Sequence, residues 1–404
     1  MAVELKAPGK ILIALMGVAL LGYAAFKYGW LGSSRDPGGT GTPSDSRPRS
    51  GAKVTVDLLY GTEKERWLTA ALDDFRKARP DIDVRVKGMG TIESIRALVD
   101  GKEKPTVWSP ADEIALNLMD AEWSLAKGSS ILDKEGDLAP QSLVITPLVV
   151  IAWEERAKAV EKSGTGPISD WRTLHALGTN PKGWSGIGAP AEWGFVKLGH
   201  TAPNASNSGL QALVLMAYSY HKKTAGLKPE DLLDEKFQKW MKEIETAVGK
   251  FGASSGTYMK DMVLYGPSKY DIIWNYESVA IGDMGAAQGR WGNLSVHYPN
   301  PTLWSNHPFA ILKGDWVTAE QNKAAQDLRA FLLSLPVQQR ALEFGFRPAN
   351  PDVVVKNQDP NNPFNRLKPF GVRLDIPPVA EAPSGEVARL LLETWRRVVG
   401  SENR

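Results

Sequence analysis

In the stretch His200–Leu215, HTAPNASNSGLQALVL, small polar residues run straight into an apolar segment. Leu210, Leu213, Val214 and Ala217 fall at i, i+3, i+4 and i+7, the spacing of one buried helix face. Ser206, Asn207 and Ser208 then occupy the N-cap and first turn. A helix start leaves up to about four backbone N–H groups unpaired and carries the positive end of the helix dipole. Gly209 lets another group approach the backbone closely. Hydroxyls and free N–H groups without side-chain charge form a cradle for an anion or a polar solute. A capped helix with no ligand carries the same residues.

Similar groups recur. Thr62, Thr91 and Ser109 each stand where a predicted strand turns into a helix. In an open α/β sheet such starts gather at the carboxyl ends of the strands, where ligands bind. Glu277 is a carboxylate inside an apolar, strand-like segment, DIIWNYESVAI, and needs either a cationic partner or a ligand. Catalytic signatures are sparse. There is no phosphate loop, no dinucleotide glycine motif, no HExxH and no GxSxG. The five histidines show no helical pairing that favours a metal. A hydrolase reading requires His200, Ser206 or Ser208, and Glu277 to meet in space. The absence of cysteine excludes disulfides and thiolate chemistry. A formal net charge of +2 gives no electrostatic case for nucleic acid, and no cofactor is expected.

Residues 53–110 must position these groups through three repeats of strand, turn and helix: VTVDLLY from Val54, a second strand at Ile82–Val86, and a third ending at Val107–Trp108. That order predicts a parallel sheet wound with helices. Thr62 with Glu65, and Thr318 with Gln321, read as capping boxes, and Ser109 precedes Pro110 as a helix start. Ser142–Glu154 carries Pro147 in its middle, which argues for an edge strand or one that crosses between domains. Asp271–Ile281 is paired with it as the return crossing, and Ile187–Ala189 as a further short strand. Trp108 and Trp193, near the cleft that a two-lobed arrangement would form, would suit an organic or sugar ligand.

Ahead of this lies an apolar run, Ile11–Phe26, flanked by Lys6 and Lys10. Extended through Leu31 it reaches roughly 20 residues, enough for an uncleaved signal anchor over residues 1–31. Residues 32–52, rich in Gly, Ser and Pro, read as a flexible linker. Anchor and linker together predict a single-pass protein with its main domain on the outer side of the cytoplasmic membrane.

The run GHTAPNASNSGLQALVLMAY, the segments ITPLVVIAWE and DIIWNYESVAI, PTVWSPAD and FGFRPAN together resemble a bacterial extracellular solute-binding protein. The group is similar to molybdate- and sulfate-type binding proteins, some members of which accompany von Willebrand factor A domains. The resemblance covers about Lys53 to the C-terminus. It implies a two-lobed α/β type II periplasmic-binding fold with two crossing strands: lobe 1 from residues 53–146 and 280–404, lobe 2 from 147–279. It implies no catalysis, capture of a small polar ligand with an oxyanion favoured, and an ABC-type transporter or a von Willebrand A-type protein as partner. Carried over by position, the ligand site falls on Gly61 and Thr62, on Thr91, on Ala205, Ser206, Asn207 and Ser208, and on Tyr276, with Ser109 and Glu277 beside it. A carboxylate at Glu277 facing the cleft would repel a dianion.

Overall fold

The computed structural model describes residues 53–400, so the expected anchor and linker lie outside the described residues. Among those described, no helix is long and apolar enough to cross a membrane. The chain runs β1 (Val54–Gly61), a 3-10 turn (Thr62–Lys64), α1 (Glu65–Ala78), β2 (Ile82–Met89), α2 (Thr91–Val99), β3 (Val107–Ser109) and α3 (Glu113–Lys127). Then come β4 (Gln141–Ser142), β5 (Val144–Trp153), α4 (Glu154–Ser163), α5 (Trp171–Gly178), β6 (Leu198–Gly199) and α6 (Asn207–His221). Next are α7 (Pro229–Leu233), α8 (Glu235–Thr246), α9 (Ser255–Tyr265), β7 (Ile272–Tyr276), α10 (Glu277–Asp283) and β8 (Leu294–His297). The chain closes with β9 (Trp304–Ser305), β10 (Pro308–Ile311), α11 (Ala319–Leu332), α12 (Leu335–Ala341), β11 (Arg347–Pro348), α13 (Pro363–Arg366) and α14 (Gly385–Val398).

Two sheets organise this order. The first has strand order β2-β1-β3-β10-β4, with β1 parallel to β2 and β3 as the strand–helix repeats predict, and β10 antiparallel to β3 and β4. Alternation along its strands sorts the core: Leu58 and Val107 join one apolar cluster with Trp67, Phe75 and Leu328, while Leu59 and Trp108 join another on the opposite face. The second sheet is centred on β5, with order β11-β5-β7-β6 and with β8 and β9 also paired to β5.

Pro147 does not make β5 an edge. The strand changes partners along its length: β11 pairs with Val144 and Ile145, β9 with Thr146 and Pro147, and β7 with Leu148–Ala152. Pro147 falls in the gap between β11 and β7, where its missing N–H breaks no ladder bond on that side.

The crossings differ from the expected pair. The chain leaves the first sheet at Ser142 and enters the second at Val144. It does not return through Asp271–Ile281, because β7 ends at Tyr276, Glu277 starts a helix, and β8 still pairs with β5. The return lies between β9 and β10, at Asn306 and His307. His307 adopts a positive φ of 41° there, its carbonyl accepts from Leu143 N at 3.2 Å, and the two crossings are thus bonded to each other. The second sheet therefore holds the chain through Ser305, and the boundary at 279/280 shifts accordingly. Nor do residues 280–404 serve one lobe: β11 belongs to the second sheet, and α14 packs on α3 of the first lobe and on α6, α7 and α8 of the second. Gly183–Ile187 is a 3-10 turn rather than the start of a strand; β6 lies further on.

Candidate functional site

The first loop after β1 carries a buried lysine. Lys64 Nζ donates to Ser109 O at 2.9 Å, Pro110 O at 3.2 Å and Gly61 O at 3.5 Å, and pairs with Glu63 Oε1 at 3.0 Å. Thr62 supplies no capping bond, because the residues Thr62–Lys64 form a 3-10 turn and α1 starts at Glu65. Burial works against the Glu63 carboxylate, but the Lys64 ammonium beside it, with help from His307, holds it at about 2. Burial lowers Lys64 in spite of Glu63, and drives His307, whose Nδ1 lies 3.2 Å from Glu63 Oε1, down to about 4. His307 is therefore neutral at pH 7.

From this loop a polar seam runs across to the second lobe. Asp112, rather than Ser109, caps α3 by accepting from Ala115 N at 3.0 Å. Its other oxygen accepts from Asn207 Nδ2 at 2.7 Å and Gln211 Nε2 at 2.5 Å, both on α6. Burial dominates and raises Asp112 to about 6 despite those donors. Asn207 Nδ2 also reaches Tyr276 OH at 3.3 Å, and Gln211 Nε2 reaches Ser305 Oγ at 3.0 Å. Tyr276 is pushed well above its ordinary range by burial, with Glu63 and Asp112 adding to the effect.

The sequence-derived cradle assembles in this seam and is filled by the protein itself. Thr91 Oγ1 accepts from Ala111 N at 3.2 Å. Ala205 O accepts from Glu93 N at 3.3 Å, joining the lobes backbone to backbone. That approach needs Gly90, since a Cβ there would lie 2.6 Å from Ala205 O. Gly209 has the role expected of it, with a Cβ placed 2.1 Å from Thr201 O. The hydroxyls of Thr201, Ser208 and Ser255 are linked at 2.8 Å per step, and Ser206 Oγ joins at 3.3 Å. Ser206 caps no N–H with its side chain. Thr91, Ser109, Ser206, Asn207, Ser208 and Tyr276 are all buried. Within the seam, Ser109 Oγ, Asn207 Oδ1 and Gln211 Oε1 have no hydrogen-bond partner.

Glu277 is not a free carboxylate. It begins α10 and is fully buried, accepting from Arg347 Nη2 at 2.8 Å and Nε at 3.0 Å, and from Tyr298 OH. Burial raises it, while Arg347 and Tyr298 oppose that rise. This pairing removes Glu277 from the candidate ligand groups. His200 is likewise committed: Nε2 lies 3.1 Å from both Glu245 oxygens and Nδ1 2.8 Å from Thr201 O, so neither nitrogen serves Ser206 or Ser208. Both tryptophans expected at the cleft sit elsewhere. Trp108 is core, donating to Ser94 Oγ at 2.9 Å, and Trp193 lies under the Arg156 guanidinium at 3.4 Å.

An open pocket of ≈180 Å³ lies beside the seam. Thr62 and Arg66 from the first lobe face Ser254, Thr257 and Lys260, at the start of α9, across it. Ser278 lies on its wall, with its N–H bonded to Thr146 Oγ1 at 3.0 Å and its buried hydroxyl unpartnered. Of the expected site residues only Thr62 lines this pocket. The start of α9 was missed, although ASSGTY carries the same loop-to-helix hydroxyl pattern that marked Ser206–Ser208.

A family model described as bacterial extracellular solute-binding protein matches residues 56–347. Two curated but uncharacterized proteins of Mycobacterium tuberculosis, from strains CDC 1551 / Oshkosh and ATCC 25618 / H37Rv, are each 22% identical over 249 residues. The match covers 60% of this chain and 33% of theirs, so the chain spans about a third of the length of those relatives. Among solved structures, a periplasmic thiamin binding protein aligns with TM-score 0.58 at 13% identity, over 87% of this chain and 98% of that one. Iron-bound HitA from Pseudomonas aeruginosa aligns with TM-score 0.54 at 16% identity, covering 85% and 99%. The sulfate-binding protein SubI from M. tuberculosis H37Rv aligns with TM-score 0.51 at 16% identity, covering 80% and 94%. These likenesses establish a shared fold.

Proposed function

The chain belongs to the bacterial extracellular solute-binding proteins, and on that premise we propose that it captures a small polar solute between its two lobes for an ABC-type transporter. One observation carries this reading: the interlobe pocket bounded by Thr62 and the start of α9, with the buried, unpartnered hydroxyl of Ser278 on its wall. A buried hydroxyl without a partner is unfavourable by ~1–3 kcal/mol, which a polar ligand atom would recover. The family's extracellular character supports a folded domain outside the cytoplasmic membrane; the tether through residues 1–31 and 32–52 is read from sequence alone. The oxyanion preference rested on a neutral hydroxyl cradle. Those hydroxyls bond to one another, so the reading moves to the pocket and to polar solutes in general.

A thermal-shift panel of oxyanions, sugars, amino acids and metal chelates tests it. A ligand at 100 times its Kd adds ~2.7 kcal/mol and raises Tm visibly. No shift with any member overturns solute capture. The self-filled seam favours the second reading, a ligand-poor interaction module working with a von Willebrand A-type partner. Its signature is that silence together with binding of an isolated von Willebrand A domain from the same genome.

A further inference from the structure

Five ionisable side chains line the interlobe pocket: Glu63, Glu65, Arg66, Lys260 and Asp283. Three are already engaged. Glu63 is paired with buried Lys64, and Arg66 is paired with Asp283 while donating to Gly282 O at 3.2 Å. What remains is one carboxylate, Glu65, at the start of α1 in the first lobe, and one ammonium, Lys260, on α9 in the second. Both are exposed, and no ion pair among the described residues involves either. The first turn of α9, an 11-residue helix capped by Ser254, adds its N–H groups and dipole to the Lys260 side. Between these walls lies the unpartnered hydroxyl of Ser278, and Phe344 and Phe346 supply an apolar patch.

We infer that the pocket takes a small zwitterion, its anionic group toward Lys260 and the start of α9, its cationic group toward Glu65, and a polar atom on Ser278 Oγ. The inference rests on the reading of this pocket as the solute site and specifies the chemistry of its occupant. A compact dianion satisfies the Lys260 side but also meets the carboxylates of Glu63, Glu65 and Asp283, which repel it. A lone cation meets Lys260 and Arg66 in the same way. Only a solute carrying both signs uses both uncommitted charges.

The test is calorimetric titration of the full folded domain with the standard L-amino acids, glycine betaine and taurine, against sulfate, acetate and ethylammonium as single-sign probes. At least one zwitterion is expected to bind, at least ten-fold more tightly than any single-sign probe. Lys260→Gln and Glu65→Gln are each expected to weaken that zwitterion about ten-fold or more, the loss of one charge-assisted hydrogen bond. Both positions are exposed, so folding is checked simply by unchanged Tm. Binding of sulfate or of a sugar with no zwitterion bound overturns this inference and leaves solute capture standing. Zwitterion binding indifferent to both substitutions also overturns it. Silence with every probe, extended to the wider panel above, overturns the solute site itself.

Discussion

Arg347→Met is expected to destabilise the protein by about 3–5 kcal/mol, the usual consequence of stranding one member of a buried ion pair. The structure says why the effect falls in that range. Glu277 is fully buried and accepts three hydrogen bonds, two of them from Arg347 and one from Tyr298. Each bond to a charged group contributes ~1.5–3 kcal/mol, so removing the guanidinium takes two of three. Arg347 also donates to Leu374 O at 2.8 Å and Arg373 O at 2.7 Å, which tie the segment after α13 to β11. Methionine keeps most of the volume between the rings of Trp304 and Phe364, so the loss is electrostatic rather than a cavity. Urea unfolding at pH 7 measures it. The companion Glu277→Leu/Arg347→Met variant is expected to recover most of the loss, because neither charge is then buried alone. Lowering the pH is expected to narrow the deficit of Arg347→Met, since the stranded carboxyl can take a proton. A single variant within about 1 kcal/mol of wild type, or a double variant no better than the single, refutes the account.

Asp112 sits at about 6 against an ordinary 3.8, so the folded protein binds the extra proton between those values and stability from this group grows as pH falls through 6 toward 3.8. Asp112→Asn is expected to lose that gain, moving the wild-type-minus-variant difference by roughly 2 kcal/mol between pH 7 and 4 in denaturation curves. His307, held at about 4, runs the other way: its contribution is lost as pH falls from 6.5 to 4, so His307→Gln is expected to flatten acid destabilisation in the same assay. His200 is raised by Glu245 in spite of burial, so its stabilisation is full below 6.5 and is lost as pH rises through its folded value. Calorimetric Tm of His200→Gln is expected to differ from wild type more at pH 6 than at pH 9, and a constant difference would contradict that. Gly90→Ala must displace Ala205 O and with it the Glu93–Ala205 bond, a change of about 1–3 kcal/mol, visible as a lower Tm.

The parts of the fold legible in the sequence are those that local pattern dictates. The strands β1, β2 and β3 with a helix after each, their parallel pairing on β1 and the capping box at Thr318 and Gln321 all stand as read. Thr91, Ser109 and Ser206–Ser208, marked by the strand-to-helix rule, lie in one seam with Ala205 and Tyr276, which only the family resemblance had pointed to. Charge partners were not legible: Arg347 lies 70 residues from Glu277 and nothing local marks the pair. Apolar content marks DIIWNYESVAI as the partner of Ser142–Glu154, but does not mark the return crossing. The real one is the polar pair Asn306–His307, whose passage between sheets is set by pairing of β9 and β10 to different partners. Nor does a sequence show whether hydroxyls at neighbouring helix starts face a solute or one another. That depends on distances of a few tenths of an ångström between lobes.

The strand order of the first sheet has a temporal consequence. β3 lies between β1, which precedes it closely, and β10, whose Ala310 pairs with Trp108 across about two hundred residues of intervening chain. At roughly 5–20 residues per second of synthesis, β3 waits on the order of 10–40 s for that neighbour. Until then its edge and the apolar face holding Trp108 stay open, and α14, which seals α3 against the second lobe, has not yet been made. Such a chain cannot lock into its native form from the N-terminus onward. It stays pliable until nearly all of it exists, and its open sheet edge stays available to other strands for that time.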